Sequence, residues 1–256
     1  NLILKAYGAK PYTLDDLQEF LRALESIKAL ICDTGALLEE ASRENKNICF
    51  EAQLGSLRDL DMGIFPYTTS SNTLAAYAPI GSGCPGASID EVIGVVKAYS
   101  TCVGEGPFVS ELFDEEAQSL REAGAEYGAK TGRPRRVGAM DIVATAYGVR
   151  MQKATKIALT KLDVLSGMEK IPVCVQYEID GNLIDRFPFP YLLNRAKPVI
   201  TYFKGWKKDI SSVRNYEDLP VEARAYVSFI EEKIGCPIAY ISVGADRDSI
   251  IRRSEE

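Results

Sequence analysis

The run Lys156-Ile157-Ala158-Leu159-Thr160 constrains this chain most, because its apolar residues are consecutive and do not alternate with polar ones. A strand of that kind is buried on both faces, and such strands belong to parallel sheets whose crossovers are helices. The surrounding chain reads the same way. Residues 115–123 and 140–153 carry helical periodicity. Residues 221–234 read as a helix stopped by Gly235 and Pro237, and a terminal strand follows over 238–243. Residues 172–178 and 183–187 flank Asp180-Gly181, the signature of a hairpin closed by a tight turn. The expected fold is α/β, a mainly parallel sheet flanked by helices with an appended antiparallel hairpin. One domain is expected over residues 1–256, without repeats.

Toward the amino terminus the signals are mostly helical. Thr13 with Asp16 reads as a capping box ahead of Leu17, Phe20, Leu21, Leu24 and Ile27, which recur at helical spacing. Asp33 or Thr34 starts a second helix carrying Leu37, Leu38 and Ala41. Asn47-Ile48-Cys49-Phe50 reads as a short buried strand. Residues 52–86 lack periodicity and are rich in Gly, Ser, Thr and Pro, yet they hold Leu57, Phe65 and Tyr67, which favours an ordered, ligand-facing loop system. Ser88 with Glu91 resembles another capping box, and residues 92–100 hold a helix turn, a strand, or one followed by the other.

Composition narrows the function classes. The chain has 256 residues, is 46% hydrophobic and carries a net charge of −6, which disfavours bulk nucleic-acid binding. No apolar run approaches the roughly 20 residues that cross a bilayer, and no basic-then-apolar signal pattern opens the chain, so a cytoplasmic protein is expected. Six dispersed cysteines (Cys32, Cys49, Cys84, Cys102, Cys174, Cys236) form no C-x-x-C pair, so buried free thiols are expected. Histidine is absent, and the first residue is Asn1. Both features suggest that part of the working protein lies outside these residues.

Against that acidic balance, Ala129-Lys130-Thr131-Gly132-Arg133-Pro134-Arg135-Arg136 concentrates four cations in one loop. Arginine forks pair bidentately with carboxylate or phosphate, and Gly132 allows close backbone approach, so the segment reads as an anion clamp. A solvated basic turn explains the same residues. Thr160-Lys161-Leu162-Asp163 falls where the buried strand ends, the place where open α/β sheets bind ligands. A carboxylate there can accept the ring N–H and the exocyclic amine of guanine while the lysine stem lies over the base. A surface ion pair or strand-end cap is the alternative. Ser242-Val243-Gly244 closes the last strand in the same position, as a second contact to that base or as a plain turn. Tyr67-Thr68-Thr69-Ser70-Ser71-Asn72 offers neutral phosphate donors or ordinary turn chemistry, and Val103-Gly104-Glu105-Gly106 is a further glycine-rich turn.

Taken in order, FEAQLGSLRDLDMGIFPYTTSSN, KAYSTCVGEGPF, ELFDE, YGAKTGRPRR, ALTKLDVLSG and ISVGADR resemble the adenylosuccinate synthetases, GTP-dependent ligases that join L-aspartate to IMP. The resemblance runs from Asn1 to Arg253. It implies a P-loop GTPase-like fold whose phosphate loop, catalytic aspartate, catalytic histidine and main magnesium contact lie upstream of these residues, leaving no catalytic or metal-binding residue here. It implies aspartate binding by Ala129, Lys130, Thr131, Gly132, Arg133, Pro134 and Arg135. IMP contacts would come from Leu54, Thr69, Val103 and Arg133, and GTP contacts from Arg135, Lys161, Leu162, Asp163, Ser242, Val243 and Gly244. GTP as substrate, Mg2+ and a homodimer follow from the same resemblance. Departures are Leu54 in the column of a purine-contacting glutamine, Arg58 for a leucine, Lys130 for a threonine, and Ala139-Met140 for an aromatic pair. They leave room for an inactive paralogue or for one acting on another purine nucleotide such as dGMP, and the alternative for these residues taken alone is a purine-nucleotide or guanine-nucleotide binding module without catalysis.

Overall fold

A computed structural model describes residues 1–253. Its contacts divide the chain into two compact units, Asn1–Phe50 with Pro79–Ala87, and Glu51–Ala78 with the chain from Ser88 onward.

The first unit holds α1 (Leu2–Ala6), α2 (Leu14–Ile27) and α3 (Thr34–Arg43). The capping box forms as the sequence predicts, with the Thr13 N–H donating to the Asp16 carboxylate at 2.7 Å and the Asp16 N–H returning to Thr13 Oγ1 at 3.2 Å. Asp33 caps α3 by accepting the Ala36 N–H at 3.0 Å. The apolar stripe of α2 forms but stays exposed, from Leu24 at 38% to Phe20 at 60%. Gly35 has a packing reason. A Cβ there would meet the Gly83 carbonyl oxygen at 2.6 Å, and Thr34 donates to the Ser82 carbonyl at 2.9 Å beside it. The predicted strand at Asn47-Ile48-Cys49-Phe50 does not form. These residues are exposed or half-buried, and among the described residues no neighbouring strand completes a ladder with them.

Chain order continues with α4 (Ala78–Gly81), β1 (Ile93–Lys97), β2 (Ser100–Cys102), α5 (Asp114–Ala123), β3 (Arg136–Gly138), β4 (Met140–Asp141) and α6 (Ile142–Gln152). Then come β5 (Lys156–Thr160), β6 (Lys170–Ile179), β7 (Asn182–Ile184), β8 (Lys197–Lys204), α7 (Val221–Ile234), β9 (Ile238–Ser242) and β10 (Ile250–Arg252). In the second unit β1, β5 and β9 are parallel neighbours, and β10 closes the far edge antiparallel to β9. The architecture is therefore α/β with a mainly parallel central sheet. Ile157, Leu159, Ile238 and Ile241 are at most 1% exposed, each contributing about 1.5–3 kcal/mol of burial. α7 buries Ala223, Tyr226, Val227, Ile230 and Ile234. It ends at Gly235 with φ 66°, the left-handed cap that its sequence predicts.

The hairpin forms with Asp180 and Gly181 both at positive φ. It belongs to a second sheet in which β6 also pairs with β4 in parallel and with β8 antiparallel. Three expectations need correction. Ser88 and Glu91 cap no helix, because the apolar run after them is drawn into β1 by pairing with β5. The helix predicted over 140–153 starts at Ile142, since Met140 and Asp141 pair with β6 and the Asp141 carboxylate caps Ala144 at 2.9 Å. Only Cys84, Cys174 and Cys236 are buried thiols, whereas Cys32 and Cys49 are exposed and Cys102 is half-buried. No helix among the described residues is long and apolar enough to cross a membrane.

Candidate functional site

Parallel pairing brings three strand ends together. Lys97 lies opposite Thr160, and Leu159 lies opposite Ile241, so the carboxyl ends of β1, β5 and β9 lie in adjacent positions. Lys161 leaves β5 in a left-handed conformation, φ 60°, which turns the chain sharply into the 3-10 turn Leu162–Leu165. Leu162 anchors that turn in the core at 0% exposure, while Asp163 stays half-buried. Burial pushes the Asp163 carboxyl up, opposed by its own backbone N–H and the Lys161 charge. On the adjacent strand the Ser242 hydroxyl donates to the Gly244 carbonyl at 2.8 Å. Val243 is fully buried, its N–H donating to the Ser249 carbonyl at 2.9 Å. The two motifs expected to frame guanine are thus set side by side.

Beneath them sits a residue that the sequence does not single out. Glu126 is fully buried, and its Oε1 accepts Tyr99 Oη at 2.6 Å, Lys97 Nζ at 2.8 Å and Lys161 Nζ at 3.0 Å. Its Oε2 accepts Arg135 Nη1 at 3.0 Å. Burial alone raises a carboxyl, but the hydrogen bonds from Lys97, Tyr99 and Lys161 outweigh it and hold Glu126 at about 2. Burial lowers Lys97, and burial reinforced by Glu126 raises the Tyr99 phenol. One available signal is Lys97, which ends an apolar run just as Lys161 does.

The basic loop separates into two parts. An isolated bridge between Tyr127 and Pro134 closes its base, and the Gly128 N–H donates to the Arg133 carbonyl at 2.8 Å. Beyond that bridge Ala129, Thr131, Gly132 and the tip cations Lys130 and Arg133 form the outer turn, with Pro134 at its base. Both tip side chains are exposed, and among the described residues neither is held by an ion pair or a side-chain hydrogen bond. Arg135 is instead drawn inward to Glu126. Arg136 pairs with Glu111 through two nitrogens and donates to the Gly106 carbonyl at 2.8 Å.

Arg58 organises the remaining predicted contacts. Its guanidinium donates to the carbonyls of Tyr67 at 2.6 Å, Val103 at 3.0 Å and Glu105 at 3.1 Å, and to Cys102 Sγ at 2.9 Å. Its own carbonyl accepts the Thr69 N–H at 2.8 Å. Thr69 and Val103 are therefore joined through Arg58. Leu54 lies nearby in sequence with φ 78° and is 55% exposed. Asp59 is fully buried and ties the loop together by accepting the N–H groups of Asp61, Met62 and Thr73 at 3.0, 2.9 and 2.6 Å.

A parallel sheet whose adjoining strand ends carry a lysine–aspartate turn and a serine–glycine turn has the layout of α/β proteins that take a ligand at the carboxyl edge. The family model for adenylosuccinate synthetase matches residues 1–251. The adenylosuccinate synthetase of Thermoanaerobacter sp. (strain X514) is 44% identical over 253 residues, covering 98% of this chain and 59% of that protein. The same enzyme of Caldanaerobacter subterraneus subsp. tengcongensis is 45% identical over 254 residues, again 98% and 59%. The solved structure of fully ligated adenylosuccinate synthetase from Plasmodium falciparum matches with a TM-score of 0.93 at 35% identity, covering 98% of this chain and 61% of that one. The chain belongs to the adenylosuccinate synthetase family. It spans 59% of the length of the first two of these relatives.

Proposed function

We propose that this chain forms the guanine-binding and aspartate-binding part of a GTP-dependent ligase that joins L-aspartate to IMP, giving adenylosuccinate. The observation that carries this reading is the adjacency of Lys161 to Asp163 with Ser242 to Gly244 at neighbouring parallel strand ends, in a chain of this family. Asp163 accepts the two N–H donors of guanine, the Lys161 stem covers the base, and Leu162, Val243 and Gly244 close the walls. The loop from Ala129 to Pro134 presents the incoming aspartate with backbone donors from its non-proline residues and the free charges of Lys130 and Arg133. Arg135, at the base of that loop, completes the aspartate side and also meets GTP. Thr69 takes the IMP phosphate, with Leu54, Val103 and Arg133 along the rest of that nucleotide.

In the proposed reaction the six-oxygen of IMP is phosphorylated by GTP and the aspartate amine then displaces phosphate. The cations here hold the carboxylates and spread the charge that develops. Among the described residues no group of three or more His, Cys, Asp or Glu side chains converges as a metal site. The protein is proposed to work in the cytoplasm as a homodimer.

Nucleotide binding tests the reading directly. Wild type is expected to bind GDP more tightly than ADP, and Asp163→Asn to lose most of that preference, about 1–3 kcal/mol of discrimination. Equal affinities for the two nucleotides in the wild type would overturn it.

A further inference from the structure

We infer that Glu126 is a positioning residue that serves both ends of the candidate site, fixing Lys161 beside guanine and Arg135 behind the aspartate loop. This inference rests on the proposed function and extends it to a residue outside the binding contacts. Three cations from separate parts of the chain, Lys97, Arg135 and Lys161, share one fully buried carboxylate. Without it, the like charges of Lys97 and Lys161 at the strand ends and of Arg135 at the base of the loop would repel, and each would move toward water. The carboxylate therefore sets where these side chains stand before any ligand arrives.

The surrounding backbone is shaped for the same purpose. Lys161 Nζ also donates to the Gly124 carbonyl at 2.6 Å, so its head is held at two points while its stem remains along the strand end. A Cβ on Gly124 would meet Tyr99 Oη at 2.3 Å, so only glycine lets Tyr99 reach Glu126. Ala125 completes the turn at φ 48°, a left-handed conformation rare for alanine. The Arg135 N–H donates to the Glu126 carbonyl at 2.9 Å, so the side chain and the backbone of Glu126 both hold Arg135 at the base of the loop.

The experiment measures dissociation constants of GDP, inosine diphosphate and ADP by calorimetry for wild type, Glu126→Gln, Glu126→Asp, Lys161→Gln and the Glu126→Gln/Lys161→Gln pair. Thermal unfolding is followed alongside. Glu126→Gln is expected to weaken GDP about tenfold while the GDP-to-inosine-diphosphate ratio stays the same, because Asp163 still reads the exocyclic amine. Glu126→Asp keeps the charge and is expected to stay within about threefold of wild type. The double variant is expected to bind no more weakly than the weaker single variant, because both substitutions remove one interaction.

Glu126→Gln within about twofold of wild type overturns the inference, as does a double variant whose loss is the product of the two single losses. Loss of GDP binding together with a changed ratio also overturns it, since that marks general collapse of the pocket. Should Glu126→Gln fail to fold, Lys97→Met/Glu126→Gln removes one charge of each sign, and the same tenfold weakening is expected of it; unchanged GDP binding there counts against the inference. A wild type that binds GDP no better than ADP overturns the nucleotide reading itself and this inference with it.

Discussion

Two sets of cations meet at the basic loop through Arg135 and are held in opposite ways. Arg135, with Lys97 and Lys161, is tied to a buried carboxylate through contacts of 2.8 to 3.0 Å. Lys130 and Arg133, on the tip of the same loop, are exposed and carry no such partner among the described residues. The first set is preorganised, its desolvation already offset by Glu126. The second keeps its charge available for an anion that comes from solution. A charged residue in a candidate site can thus be fixed in place before a ligand arrives or left with its charge uncommitted, and partner occupancy distinguishes the two.

The difference should appear first in stability. Glu126→Ala strands three cations around a small buried void, and a loss of about 3–5 kcal/mol is expected, read as a fall in the denaturant midpoint at constant slope. A loss below about 1 kcal/mol would show that the cluster is solvated and not preorganised. Acid provides the next test. The Glu126 carboxyl falls from an ordinary 4.5 to about 2 on folding, a depressed value whose stabilisation is complete above 4.5 and lost as pH falls toward 2. On the order of 3 kcal/mol should disappear across that window in wild type and be absent from the profile of Glu126→Gln.

Arg58→Leu is expected to cost about 1–3 kcal/mol, because the carbonyls of Tyr67, Val103 and Glu105 lose their shared donor. Protease nicking confined to residues 102–106 would locate the loosening there. At the tip, Lys130→Ala and Arg133→Leu should leave stability within about 0.5 kcal/mol. In the intact enzyme Arg133→Leu should nevertheless raise KM for aspartate and cut turnover strongly. Unchanged aspartate kinetics would remove Arg133 from the clamp and leave the comparison without its functional half.

Local patterns were legible where local physics decides. The capping box at Thr13, the positive-φ turn at Asp180-Gly181 and the cap at Gly235 depend on neighbours within a few residues, and all appear as the sequence predicts. β8, β10 and the β2–β3 pair went unread, since each exists by pairing with a distant or weakly patterned segment. Asn47 to Phe50 failed for the same reason in reverse. Their apolar residues suit a strand, but a strand needs a partner. In the site, Lys161, Asp163 and Ser242 were legible because they follow recognisable strands. Glu126 was not, because a glutamate after a helix reads as a solvated surface residue until Lys97, Tyr99, Lys161 and Arg135 arrive from elsewhere in the chain.

The sequence by itself determined the α/β class and the family and marked the candidate site segments, because periodicity, turn residues and ordered motifs are written along the chain. Tertiary structure alone decided which cations are already paired. Charge type is a property of a residue, but pairing depends on distance and burial, and both arise only when the strand ends of β1 and β5 and the base of the basic loop close around Glu126.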